Sequence, residues 1–168
     1  MSTLLSVMTM LAMVWAGISG CGQQNAVELF ADGQRALAEP GTRHQAGETF
    51  KQLLEQYPEH HLAPRALKKL AMLAQQDGHM EEAIALYQRL LSEYPDSGQA
   101  DEAQFMIGFI CEEYLGDLDQ ARAAYQRVID HFPDSELAVS ARRLLPNVGR
   151  DPSEWVEFQD YADVDGAP

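Results

Sequence analysis

GHMEEAIALYQRLLSEYP, residues 78–95, decides the fold, because diverged copies of this stretch stand on either side of it. The copies read GTRHQAGETFKQLLEQYP at residues 41–58 and GDLDQARAAYQRVIDHFP at residues 116–133. Each copy begins with glycine, carries an alanine five residues later and an aromatic four residues after that, and ends in proline. The copies begin 37 and 38 residues apart. Self-similarity at such a period predicts a stack of structural repeats.

The residues before the middle copy predict a first helix. Its apolar face recurs at three- and four-residue spacing through Ala66, Leu67, Leu70, Ala71 and Ala74. That spacing is the period of one helix face. Gly78 is expected to end this helix, because only glycine takes the left-handed cap conformation at little cost.

The copy itself predicts a second helix, over Glu81–Glu93. The expected buried stripe is Ala83, Ile84, Tyr87, Leu90 and Leu91. Pro95 closes the unit, since proline lacks the amide that another helical turn requires. The same layout predicts helices over Ala103–Gly116 and Leu118–Phe132, followed by a last helix, Glu136–Leu145, that stops at Pro146.

At these positions the chain resembles the tetratricopeptide repeat, and Ile107-Gly108 matches the Leu-Gly pair of that repeat's first helix. The resemblance implies an all-α solenoid of about three helix-pair repeats with a C-terminal capping helix, over residues 26–145. The first repeat keeps Gly41, Ala46, Phe50 and Pro58 but little of its first helix. The long period resembles the subclass found in envelope proteins, such as the repeat lipoprotein of the outer-membrane barrel-assembly machine and the periplasmic coordinator associated with the Tol-Pal system.

The N-terminus indicates export and lipidation. Residues 1–20 carry no charged side chain, and an apolar run from Leu4 to Ile18 precedes Ser19-Gly20-Cys21. An apolar residue and two small residues before cysteine resemble the bacterial lipobox. The resemblance implies removal of residues 1–20, acylation of Cys21 (the palmitate-type anchor) and a short tether over residues 21–25. An uncleaved membrane anchor is the alternative, because the apolar run approaches spanning length. Gly22 in place of Asp implies the outer membrane, facing the periplasm.

Charge and cysteine content narrow the classes of partner. The formal net charge of −14 argues against nucleic acid and anionic membrane surfaces, which attract clustered Lys and Arg. Two cysteines are too few for a disulfide scaffold. Cys111 falls on an apolar stripe and is expected to be a buried, inert thiol. Together, the lipobox and tetratricopeptide resemblances imply protein partners of the cell envelope.

The tetratricopeptide resemblance implies that first helices line a concave face that binds partners. Its candidates are Arg65, Lys68, Met72, Gln75 and Gln76 in the second unit and Phe105, Phe109, Glu112 and Glu113 in the third. Phe105 and Phe109 lie one turn apart and form either an apolar patch for a peptide or packing against a neighbouring helix. Arg65 and Lys68 bind a partner's carboxylate or pair with local acids.

The C-terminal tail, residues 146–168, carries an aromatic at every third position: Trp155, Phe158 and Tyr161. Two interpretations stand for this acidic segment. The stripe caps the apolar end of the last repeat, as terminal repeats require, or it is a short partner-binding motif.

The sequence shows no arrangement of residues typical of a metal site or a catalytic site. The five histidines lack metal-site spacing, and we find no phosphate-binding loop and no catalytic triad or carboxylate pair. We predict no cofactor, no metal, no small-molecule substrate and no enzymatic activity. The leading hypothesis is a lipid-tethered adaptor or assembly scaffold, and the alternative is a structural accessory that acts by self-association of its repeats.

Overall fold

The computed structural model describes residues 24–151 and residue 154. These residues form α1 (Ala26–Ala38), α2 (Arg43–Gln56), α3 (Ala63–Gln76), α4 (Met80–Glu93), α5 (Ala100–Ile110), a π-helical segment (Cys111–Leu115), α6 (Leu118–His131), α7 (Glu136–Leu144) and a 3₁₀ turn (Leu145–Asn147). Consecutive helices pack as the pairs α1/α2, α3/α4 and α5/α6, and α7 packs on α6. The predicted all-α stack of three repeats and a capping helix is confirmed.

Each second helix meets its partner through a small residue and an aromatic ring. Ala46, Ala83 and Ala121 are fully buried, and Phe50, Tyr87 and Tyr125 are no more than 1% exposed. A small side chain lets two helices approach closely, and the ring one turn later fills the space that opens beside the crossing. The alanine-to-aromatic spacing in the sequence therefore marks the core of each pair.

Glycines end the first helices as the sequence predicted. Gly41, Gly78 and Gly116 have φ of 86°, 83° and 65°, the left-handed region that glycine enters at little cost. Beyond α7, Gly149 takes the same conformation, with φ of 82°. Each of these glycines turns the chain out of a first-type helix.

The sequence underestimated the first repeat, whose first helix is complete. Asn25 caps α1 by accepting hydrogen bonds from the amides of Val27 and Glu28, and Glu28 Oε2 accepts one from the Asn25 amide. This capping box satisfies amides that have no partner inside the helix. Leu29 and Phe30 then enter the core. The predicted repeat region, residues 26–145, includes this helix, although the helix lacks the consensus residues of the other units.

The tyrosine hydroxyls at the Tyr-Pro corners donate to backbone carbonyls that lie earlier in the chain. Tyr94 Oη donates to the carbonyl of Pro58 at 2.9 Å, and Tyr57 Oη donates to the carbonyl of Gln24 at 2.9 Å. Phe132 occupies the third corner and has no hydroxyl to donate. The junction between the second and third units therefore lacks the bond that Tyr94 makes between the first and second units.

Candidate partner-binding surface

Arg65 and Lys68 on α3 are candidates for binding a partner's carboxylate, and both side chains contact other helices of the stack. Lys68 Nζ lies 2.6 Å from Glu102 Oε2, which joins α3 to α5. The Arg65 guanidinium lies 4.8 Å above the centroid of the Phe30 ring, which joins α3 to α1. Lys68 thus follows the local-pairing alternative, whereas Arg65 is exposed and pairs with no acid among the described residues.

The remaining α3 candidates are Met72 and two glutamines whose side chains are unpaired within the described residues. Met72 and Gln75 are half-buried and Gln76 is exposed. Across residues 24–151, neither glutamine side chain makes a hydrogen bond, so both amides can exchange water for a partner's polar groups.

The two α5 phenylalanines differ in their surroundings. The Phe105 ring packs on the buried Tyr125 ring, with centroids 5.3 Å apart, which is the packing alternative left open by the sequence. The Phe109 ring instead meets Tyr114 edge-on at 6.0 Å. Tyr114 is 53% exposed, so Phe109 belongs to a surface cluster and Phe105 to the core of the third pair.

Glu112 links the third pair to the end of the stack. Its Oε2 accepts a hydrogen bond from Tyr125 Oη at 3.1 Å, and its Oε1 accepts one from the Gly149 amide at 3.1 Å. Burial raises the pKa of Tyr125, and the negative charge of Glu112 raises it further because both disfavour the phenolate. Glu112 therefore has a structural task, whereas Glu113 beside it is exposed.

The end of α5 departs from the sequence prediction of one α-helix reaching Gly116. The α-helix ends at Ile110, and residues Cys111–Leu115 are π-helical, with the Gly116 amide donating back to the Cys111 carbonyl. A π-turn accommodates one inserted residue. The sequence does hold the signal: the first helix starts 15 residues before the glycine in the second unit (Ala63, Gly78) and 16 before it in the third (Ala100, Gly116).

At the end of the first helix, the third unit exposes apolar side chains where the second unit has polar ones. Tyr114 and Leu115, at 53% and 40% exposed, stand immediately before Gly116. Gln76 and Asp77 stand in the same places before Gly78. We name Phe109, Tyr114 and Leu115 the π-turn patch.

Cys111 begins the π-helical segment and is fully buried, as the sequence predicted. Burial raises the pKa of its thiol, and the charge of Asp117 adds to the effect. A thiol held in its protonated form reacts slowly.

Within residues 24–151, no group of three or more His, Cys, Asp and Glu side chains could hold a metal ion. His60 and His61 lie with their rings 4.3 Å apart but converge with no third ligand there. No helix in the same span is long and apolar enough to cross a membrane. Cys21 and the tail aromatics Trp155, Phe158 and Tyr161 lie outside the described residues.

These features define a helical-repeat protein of the tetratricopeptide type. The model of the family YfiO, described as outer membrane lipoprotein, matches residues 22–149, which is more than half of the chain. The chain therefore belongs to this family of outer membrane lipoproteins. A comparison with curated proteins finds no match to it.

Proposed function

We propose that the protein is a lipid-anchored adaptor at the periplasmic face of the outer membrane, which binds protein partners through its first helices and is not an enzyme. The observation that carries the proposal is the family match over residues 22–149, which begins directly after Cys21. Assembly or maintenance of the envelope is the process that such an adaptor would serve.

The anchor rests on Cys21 and the segment before it. The apolar run and the small residues at positions 19 and 20 fit a signal peptide that is removed at a lipidated cysteine. More than one acyl chain on one residue holds a protein on a bilayer, because each buried methylene contributes about 0.8 kcal/mol.

The binding role rests on polar groups of α3 that make no ion pair or side-chain hydrogen bond within the described residues. Within residues 24–151, Arg65 pairs with no acid, and the side chains of Gln75 and Gln76 make no hydrogen bond. These residues project from one helix, so a partner segment that lies along α3 can contact them together.

Mass spectrometry of the protein purified from membranes tests the anchor. We expect a mass without residues 1–20 and with acyl chains on Cys21, and we expect Cys21→Ser to abolish both changes. Cys111→Ser is the matched control and leaves the acylation intact. An intact Met1 with an unmodified Cys21 contradicts the anchor.

Chemical crosslinking on intact membranes, followed by affinity capture, tests the binding role of α3. We expect Arg65→Glu together with Lys68→Glu to lower the yield of captured partner at least about tenfold. The charge exchange Lys68→Glu with Glu102→Lys is the matched control for position 68. It keeps an ion pair between positions 68 and 102 and leaves Arg65 unchanged. Undiminished capture by the Arg65/Lys68 variant removes these residues from the binding surface.

A further inference from the structure

The π-turn patch stands apart from the rest of the described surface. Among residues 24–151, the large apolar side chains that are exposed are Val27, Tyr114, Leu115 and Val139. Two of these four are adjacent in the chain, and the Tyr114 ring contacts Phe109. Exposed apolar residues that stand singly are ordinary, but a cluster indicates a surface that another molecule covers.

The backbone beneath the patch is an uncommon arrangement. π-helical turns are rare and are often found at functional sites; this one forms the last turn of the first helix, directly before Gly116. Here the turn is fixed at its end by Gly116, whose amide and the Asp117 amide both donate to the Cys111 carbonyl. Glu112 fixes it from the side through Tyr125 and Gly149. The patch is therefore held in place before any partner arrives.

The charge around the patch selects among possible occupants. Glu112, Glu113 and Asp117 surround it in sequence, and no Lys or Arg of residues 24–151 lies within ion-pair distance of these three. The acidic tail, with Glu154, Glu157 and Asp160, is repelled by this charge. A second copy of the chain brings a net charge of −14 and is repelled as well.

We propose that the π-turn patch docks a segment of a partner protein that carries apolar side chains with Lys or Arg beside them. Phe109, Tyr114 and Leu115 supply the apolar contact, and the three acids supply attraction and orientation for the basic groups. The proposal rests on the adaptor function above and adds the position of the contact and the chemistry of the partner.

The test measures binding of short fluorescent peptides to the full-length protein by anisotropy. One peptide alternates Leu and Lys, a second replaces Lys by Glu, and a third replaces Leu by Ser. We expect the Leu–Lys peptide to bind at least about tenfold more tightly than either control. Equal affinity of the Leu–Glu peptide contradicts the role of the acids.

The decisive variant gives the third unit the surface of the second. Tyr114→Gln with Leu115→Asp installs the residues found at positions 76 and 77, and we expect it to weaken Leu–Lys binding at least about tenfold. Val139→Gln is the matched control, since Val139 is 57% exposed, and we expect affinity within twofold of the parent protein, about the precision of such measurements. Unchanged binding by the double variant overturns the proposal.

Two further experiments test whether the C-terminal tail or a second copy of the chain covers the π-turn patch. If Trp155→Ala with Phe158→Ala raises peptide affinity, the tail covers the patch and the proposal is wrong. If light scattering shows a dimer that Tyr114→Gln with Leu115→Asp dissociates, a second copy covers it and the proposal is wrong again. If the protein captures an envelope partner but does not distinguish the three peptides, the proposal about the patch is wrong and the adaptor function stands. If it binds the Leu–Lys peptide selectively but captures no partner, the adaptor function is wrong.

Discussion

The second and third helix pairs have the same arrangement of helices, but the buried tyrosine at the centre of each pair differs in its hydrogen bonding. Tyr87 and Tyr125 are equally buried, each one turn beyond a buried alanine. Tyr125 Oη donates to Glu112, whereas Tyr87 Oη has no hydrogen-bond partner among residues 24–151. Four residues before the capping glycine, the third unit has Glu112 and the second has Ala74. The buried hydroxyl is therefore satisfied in the third unit, where the π-helical segment carries Glu112.

The comparison shows where this chain departs from a plain repeat. The second unit keeps a regular α-helix that ends in the polar residues Gln76 and Asp77. The third unit inserts one residue, forms a π-turn, and presents Tyr114 and Leu115 instead. A shared fold therefore carries two different surfaces, and the surface suited to an apolar, basic partner lies on the third unit.

The largest expected effect breaks the tight packing of the third pair. An added Cβ at Gly108 lies 2.8 Å from Tyr125 Cε1, and Phe105 packs against the same ring. We expect Gly108→Ala to lower the free energy of unfolding by about 3 kcal/mol in urea titration. Ala71 occupies the same place in the second unit, eight residues after the helix start, and Ala71→Gly is expected to cost only about 1 kcal/mol. Equal losses for the two changes contradict the comparison.

Alkaline pH provides the second test. Burial, aided by the charge of Glu102, raises the pKa of Tyr87 to about 12 from its ordinary value of 10. The unfolded chain ionises this phenol first, so the stabilisation is complete below pH 10 and declines as pH rises to about 12. Tyr87 alone is expected to account for about 2–3 kcal/mol of the loss, because each pKa unit corresponds to about 1.4 kcal/mol. Urea titrations along a pH series measure this slope, and Tyr87→Phe should make it shallower.

Removing the hydroxyl of Tyr125 and removing that of Tyr87 should affect stability differently at neutral pH. Tyr125→Phe deletes a hydrogen bond to a carboxylate and is expected to cost about 1.5 kcal/mol. Tyr87→Phe deletes a buried hydroxyl without a hydrogen-bond partner and is expected to leave stability unchanged or raise it by up to about 1 kcal/mol. Thermal denaturation of both variants measures the difference. A clear loss of stability in Tyr87→Phe contradicts the assignment of that hydroxyl.

The smallest expected effect concerns the corners between units. Tyr94→Phe removes the bond to the Pro58 carbonyl and is expected to cost about 1 kcal/mol in urea titration. Phe132→Tyr is the reciprocal change, and we expect it to add a fraction of that amount if the new hydroxyl reaches the corresponding carbonyl of Pro95. Destabilisation by Phe132→Tyr shows instead that the third corner has no room for the bond.

Much of this fold follows from features that are local in sequence. The glycine, alanine, aromatic and proline spacing predicts each second helix and the positive φ of Gly78, because these depend on helix period and backbone conformation. α1 lies in the predicted repeat region but carries little of the consensus, because a capping box and burial stabilise it instead. The partners of Lys68 and Arg65 lie on other helices, at Glu102 and Phe30, so their contacts depend on packing that no local pattern encodes.

The candidate surface was predictable only in part. The sequence selected Phe109 and Glu112 but assigned them to a regular helix, and it passed over Tyr114 and Leu115. The extra residue before Gly116 was visible in the spacing. Whether an insertion becomes a π-turn or a longer loop depends on hydrogen bonds at the helix end, which only the three-dimensional structure displays.

Photocrosslinking on intact membranes tests the central claim most directly, by comparing the two units at one position. Tyr114 and, in a separate variant, Gln76 are replaced by p-benzoylphenylalanine, and the crosslinked segments are identified by mass spectrometry. The account predicts that position 114 crosslinks to an envelope protein, within a segment of apolar and Lys or Arg residues, and that position 76 yields far less of that product. Equal yields at the two positions, or crosslinks from position 114 only to the chain's own tail, contradict it.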